Sequence, residues 1–266
     1  MGIPLRHPSA TIKRPEEVAR MRHAGQILVG LLDRLEGALG TGVTTAELDA
    51  IAVDHIRDAG AVSSFKGYGS NPPFPGTICT SLNEEVVHGI PSSRRRIQDG
   101  DLIGIDVGCI FEGWHADCAR TFAIGSVEPA ERDLIDHTRE ALSAGIRAAM
   151  PGNRLGDVGA AIEAVANAHG YGIVRPFVGH GIGSSMHEEP NVPNYGRPGT
   201  GMRIELGMCL AIEPMFNLGG DEVRLLDDGW TVVTADGTRS AHFEDTIVIG
   251  PEGAERLTAR PVEARA

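Results

Sequence analysis

Residues 101–124, DLIGIDVGCIFEGWHADCARTFAI, read as two strands joined at the loop Ile110-Phe111-Glu112-Gly113, and their pairing decides the fold. Side chains along a strand alternate between faces, so Ile103, Ile105 and Val107 share one face while Asp106 points to the other. The midpoint between Asp106 and Asp117 falls in the loop. A hairpin about that point sets the two carboxylates opposite each other on one side of the sheet. Like charges opposed across a ladder are destabilising, so the arrangement makes physical sense when cations lie between them.

Upstream, two helices are expected. The first starts at Pro15, with Glu16 and Glu17 suited to a positive helix end, and keeps an apolar stripe from Val18 to Leu35 before Gly37. The second opens with the capping pattern Thr44-Thr45-Ala46-Glu47 and stops at Gly60. A Gly- and Pro-rich loop, 67–76, follows, and then the strand signal TICTSL at 77–82.

Downstream the order repeats. Helices are expected from about Pro129 to Met150 and from about Arg154 to His169, and Gly152 and Gly170 share the spacing of Gly42 and Gly60. GDLIGID, ending at Asp106, corresponds to GMCLAIE, ending at Glu213, and TFAIG at 121 corresponds to TIVIG at 246. Each half thus supplies one acid at the end of a Gly-led strand and another on the following strand, Asp106 with Asp117 and Glu213 with Glu244. Leu210 and Ile212 lie opposite Glu213, while small Cys209 and Ala211 share its face and leave room for ions. Adding His180, flanked by glycines, gives four carboxylates and one imidazole on the approximate two-fold axis between the halves.

Composition bounds the reading. The chain has 266 residues and 41% hydrophobic content, enough for a substantial core. No apolar run approaches the roughly 18 residues of a membrane span, and the opening MGIPLRHPSA lacks the apolar segment of a signal peptide. A cytoplasmic protein is expected. Cys79, Cys109, Cys118 and Cys209 show no CxxC spacing and read as reduced, packed thiols. A formal charge of −12 argues against a nucleic-acid binder and suits a cation site. The basic run Arg94 to Arg96 reads as a solvated loop.

With these residues in place the chain resembles a type I methionine aminopeptidase over residues 11–250. The resemblance is carried, in order, by NEEVVHGIP around His88, DVGCIFEGWHAD with Asp106 and Asp117, GHGIGSSMHEEP with His180 and His187, AIEP at Glu213, and HFEDTIVI at Glu244. It implies an α/β (α+β) fold, the duplicated pita-bread fold, in which two pseudo-symmetric halves of two helices plus antiparallel strands share one curved sheet. A single catalytic metallopeptidase domain is expected over 11–250, with pseudo-repeats at about 11–125 and 126–250 and short tails at 1–10 and 251–266.

The resemblance further implies that Asp106, Asp117, His180, Glu213 and Glu244 bind two divalent metal ions, with Asp117 and Glu244 bridging. Oxygen-rich ligation with one imidazole suits Mn, Fe or Co. Hydroxide generated between the ions would attack the first peptide bond. Glu213 is the expected proton carrier, His187 the donor to the oxyanion, and His88 a contact to the substrate backbone. Tyr68, Phe74, Cys79, Met186 and Trp230 are the expected walls of a methionine slot, beside a space that admits only a small second residue. Met186 stands where many relatives have an aromatic residue, and a flexible thioether can fill the same volume. Partners are then N-terminal Met peptides and nascent chains, with no nucleic acid and no membrane, and a monomer is expected. Some relatives make a transient ribosome contact through a basic loop before this Trp; here residues 219–230, GGDEVRLLDDGW, are acidic.

His115 and His242 each precede an acid by two positions, so they are expected to support the site or line its pocket. His7, His23, His55, His137 and His169 read as helix or tail residues. Three alternatives share the fold: proline-directed aminopeptidases and prolidases, a type II methionine aminopeptidase with a helical insertion in its second half, and binding proteins that have lost metal ligands.

Overall fold

A computed structural model describes residues 10–69 and 71–260. His7 and most of the expected tail at 1–10 lie outside the described residues. The first half contains α1 (Pro15–Ala38), α2 (Thr45–Asp58), β1 (Val62–Ser63), β2 (Cys79–Leu82), β3 (Glu85–Val87), β4 (Leu102–Phe111) and β5 (Trp114–Ala123). Then follow α3 (Pro129–Ala148), α4 (Leu155–His169), β6 (Gly172–Ile173), β7 (Gly179–Gly181), β8 (Glu188–Val192) and β9 (Cys209–Ile212). The chain closes with β10 (Met215–Asn217), β11 (Val223–Leu225), β12 (Val232–Thr234), β13 (Ser240–His242), β14 (Glu244–Gly250) and β15 (Gly253–Arg256). No helix among the described residues is long and apolar enough to cross a membrane.

The helix boundaries follow local chemistry. Pro15 and Pro129 begin α1 and α3, where a missing N–H costs nothing. At α2 the Thr44 hydroxyl accepts from Glu47 N at 3.3 Å and the Glu47 carboxylate accepts from Thr44 N at 2.7 Å, the reciprocal cap expected from the sequence. Gly170 ends α4 at φ 76°, a left-handed position that glycine occupies without strain.

Among the described residues nine strands form the main sheet, in the order β1-β4-β5-β14-β9-β7-β8, with β2 also beside β4 and β15 beside β14. The halves meet where β5 pairs β14, through Ala119 opposite Glu244 and Cys118 opposite Asp245. One helix pair covers each half. Ile103, Ile105 and Val107 pack with α1 and α2, and Leu210, Ile212, Ile247 and Ile249 pack with α3 and α4. The alternation expected from the sequence is therefore what buries the helices and frees the acid face.

The strands do not all stay in one sheet. β13-β10-β6 and β11-β12-β3 form separate three-stranded sheets. Pro214 stands between β9 and β10 and offers no N–H to continue the ladder. The stretch after 250, expected as a tail, is also part of the fold: β15 pairs β14, and Leu257, Thr258 and Ala259 are buried. Arg94 to Arg96 are exposed, as expected of a solvated loop, and all four cysteines are free and buried.

Candidate metal centre and substrate slot

Register builds the site. The β4–β5 turn is Glu112-Gly113, with φ 47° and 83°, the two positive values a two-residue hairpin turn of this hand requires. This centres the hairpin one residue later than expected. Asp106 therefore opposes Ala119, and Asp117 opposes Gly108. The carboxylates are diagonal neighbours rather than directly opposed. Because the pairing shifts by an even number of residues, they still share a face.

A row then crosses four strands on that face: Cys79 on β2, Asp106 on β4, Ala119 on β5 and Glu244 on β14. A second row runs from His180 on β7 through Ala211 on β9 to Thr246 on β14. Ala119 and Ala211 provide the small side chains between the polar ones. Cys209 does not share this role: it pairs with Val248 and packs with Met21, Ile182 and Leu257. The expectation that it leaves room for ions is thus corrected, because the curled sheet carries that end of β9 under α1 and the last described segment.

One cavity of about 120 Å³ is lined by Asp106, Asp117, His180, Glu213 and Glu244 at one end. Donor atoms of Asp117, His180 and Glu244 lie within 4.8 Å of one another, and His180 Nε2 is 3.6 Å from Glu213 Oε1. His180 Nδ1 is 2.9 Å from the Gly181 carbonyl, which orients the ring and leaves Nε2 toward the acids. Burial pushes Asp106 up to about 7. Asp117 and Glu244 are raised by burial and then by neighbouring carboxylates, and Glu213 by burial and then by Asp106. Burial lowers His180 to about 4, so its imidazole is neutral.

This donor set fits divalent cations. Asp106 Oδ1, Asp117 Oδ1 and Glu244 Oε1 are buried without a hydrogen-bond partner, and buried polar atoms are otherwise nearly always satisfied. Four carboxylates with one neutral imidazole are the hard-oxygen, single-nitrogen environment that Mn, Fe or Co accepts.

The other end of the cavity is apolar. Tyr68, Phe74, Cys79, Met186 and Trp230 all line it, and Phe74 and Trp230 meet edge to face at 5.3 Å. Phe65 also lines it and packs with Phe74 and Cys79. Sequence reading passed over Phe65, although it stands two residues before the Gly-rich loop 67–76 that supplies Tyr68 and Phe74. Gly69 is part of that loop, and a Cβ there would lie 2.8 Å from the Trp230 ring. Asp228 accepts from Trp230 N and Thr231 N, both at 2.8 Å, so one acid of the 219–230 stretch is used to turn the chain and set the indole.

Two further histidines face the cavity. His187 Nδ1 lies 2.6 Å from the Tyr68 hydroxyl, and burial lowers its pKa. His88 has φ 61°, a strained value for a non-glycine residue, and its ring is wedged against Phe177 and Trp230. Burial and then His187 lower it to about 4. His115 and His242 lie behind the wall rather than on it: His115 Nδ1 is 2.9 Å from Ser64 Oγ and its N–H donates to Gly183, ahead of His187, while His242 is buried.

Residues 19–251 match the model of metallopeptidase family M24. A methionine aminopeptidase of Clostridium acetobutylicum is 49% identical over 93% of this chain and 98% of its own. The crystal structure of a methionine aminopeptidase from Thermotoga maritima matches with a TM-score of 0.92 and 39% identity, covering 95% of this chain and 100% of that one. A prolidase from Pyrococcus furiosus matches at 0.74 with 23% identity, over 94% of this chain and 65% of that one, a likeness of fold alone. By sequence and by structure, the chain belongs to the methionine aminopeptidases of metallopeptidase family M24.

Proposed function

We propose that the protein is a metal-dependent exopeptidase that removes the N-terminal methionine from peptides and nascent chains, preferentially when the second residue is small. The observation that carries this reading is a single cavity with an acidic end and an apolar slot side by side. A slot closed by aromatic rings and a thioether suits one unbranched apolar side chain. The acid end suits the reacting peptide group.

In this reading Asp106, Asp117, His180, Glu213 and Glu244 would hold two divalent ions, Co, Mn or Fe. Two such ions balance four carboxylate charges and, when bound, lower the pKa of water and polarise a carbonyl. The remaining steps belong to the chain. Glu213 carries the proton from water to the leaving amine. His187 is held through Nδ1 by Tyr68, which directs the opposite ring nitrogen to donate to the carbonyl oxygen as charge builds there. His88 contacts the substrate backbone next to the slot. Tyr68, Phe65, Phe74, Cys79, Met186 and Trp230 receive the methionine side chain.

The working form is a cytoplasmic monomer. The test is anaerobic reconstitution with manganese, iron or cobalt, followed by peptides starting Met-Ala, Met-Gly, Met-Leu and Ala-Pro. Free methionine should appear from Met-Ala and Met-Gly, with Met-Leu much slower. Release from Ala-Pro but not from Met-Ala would replace this reading with the proline-directed one.

A further inference from the structure

Away from the central cavity, α3 and α4 bring together His137, Glu140 and His169, whose donor atoms all lie within 4.8 Å of one another. We propose that this cluster is a second metal site, for a divalent transition ion of the zinc class, that clips the C-terminal end of α4 to α3. None of the three residues lines the central cavity.

Placement favours a cation. His137 and Glu140 are three positions apart on α3, so they share a helix face. His169 is the last residue of α4, where unpaired carbonyls give the helix end a partial negative charge. The rings of His137 and His169 are stacked, with centroids 3.5 Å apart and 14° between planes, so two imidazoles from different helices already share one spot.

The supporting contacts are those of an oriented ligand. His137 Nδ1 lies 2.9 Å from the Tyr171 hydroxyl, the type of outer hydrogen bond that fixes a ligating imidazole. Tyr171 stacks on buried Phe216, which ties His137 to the core. His169 and Glu140 are exposed and His137 is half-buried. Bonds of about 2.1 Å to a tetrahedral ion place its ligands about 3.4 Å apart. Closing to that distance takes a turn of the exposed Glu140 and His169 side chains, the His169 ring leaving its stack on His137 so that the two nitrogen lone pairs converge on the ion.

The donor set also separates this site from the central one. Two imidazoles and one carboxylate leave a fourth position for water, as in open zinc sites. Nitrogen-rich ligation favours zinc, nickel or copper, whereas the carboxylate-rich central set suits manganese or iron.

The test uses the full chain, stripped with chelator and titrated with zinc alone against a competing chromophoric chelator, while histidine ring signals are followed by NMR. Zinc should shift the ring signals of His137 and His169. The His169→Gln variant should bind one zinc fewer per chain than the parent, with unchanged metal-free melting and unchanged aminopeptidase activity when loaded with manganese. Tyr171→Phe should weaken the same site at least about tenfold. Ring signals that stay in place at saturating zinc, or a His169→Gln chain that binds as much zinc as the parent, overturn the proposal.

Discussion

Stripping metal from the protein should make its stability fall as pH rises from 6.5 to 8. Asp106 is pushed up from 3.8 to about 7, chiefly by burial, and Asp117, Glu213 and Glu244 are raised as well. A carboxyl whose folded pKa exceeds its unfolded one keeps its proton in the folded state. Its contribution is complete below about pH 4 and is lost as pH climbs through the folded value. The buried imidazoles act in the opposite sense. His88 and His180 are lowered to about 4 and His242 to about 3, in each case chiefly by burial. Their contribution therefore grows with pH through about 6.5, where the unfolded imidazole is half deprotonated, and levels off about one unit higher. Below about 6.5 the two classes offset each other, and above it the imidazole effect fades and the carboxyls dominate. Each carboxyl still protonated in the folded state then removes about 1.4 kcal/mol per pH unit, and each kcal/mol is about 2–4 °C in Tm for a chain of this size. Divalent ions replace these protons, so manganese-loaded protein should lack the slope. Thermal unfolding of chelated and loaded protein at half-unit pH intervals measures it. A chelated protein whose Tm is level or rising from 6.5 to 8 refutes the reasoning.

Three substitutions test other parts of the structure. Asp245 is fully buried, with Arg120 Nη2 at 2.6 Å and Arg256 Nε at 3.5 Å; Asp245→Ala strands those charges and should cost about 3–5 kcal/mol in urea unfolding, and a loss under 1 kcal/mol would show the pair is not needed. A Cβ at Gly108 would lie 2.7 Å from the Phe65 ring, so Gly108→Ala should push that wall into the slot and raise KM for Met-Ala peptides; an unchanged KM would remove Phe65 from the slot. Glu213→Gln should lower kcat by about 10²–10⁴ with the fold intact, and near-normal turnover in the metal-loaded variant would end its role as proton carrier.

Much of this was legible in the chain because apolar alternation and helix capping are local. Ile103, Ile105 and Val107 revealed which face of β4 carries Asp106, and Thr44 with Glu47 marked the start of α2 to within a residue. The exact pairing was not legible. Whether the turn centres on Phe111-Glu112 or Glu112-Gly113 depends on which residues adopt positive φ, and Glu112 is not a residue whose type announces it. Cys209 was misplaced for a related reason. Period-two reasoning gives the face of a strand but not where a curled sheet turns that face away from the site. Phe65 was missed because an aromatic beside a loop has no periodic signature at all. The separate small sheets depend on long-range pairing, which no local pattern encodes, and β15 lies in the stretch after 250 that was expected as a tail.

The seam between the halves explains why adjacent acids on β14 have different tasks. Glu244 faces the cavity, while Asp245, one position on, points to the opposite side. There Arg120 binds the Asp245 carboxylate and also donates to the backbone carbonyl of Glu244. Thr246 completes the lock, accepting from Asp117 N at 2.9 Å and donating to Asp117 O at 2.8 Å. The backbones of two acids contributed by different halves are thus fixed from behind and from the side. That rigidity matters because carboxylates placed this closely repel one another whenever they are ionised without a cation. A flexible seam would relieve the repulsion by spreading the strands. A locked one preserves a compact acidic site, whose charges are then satisfied by cations.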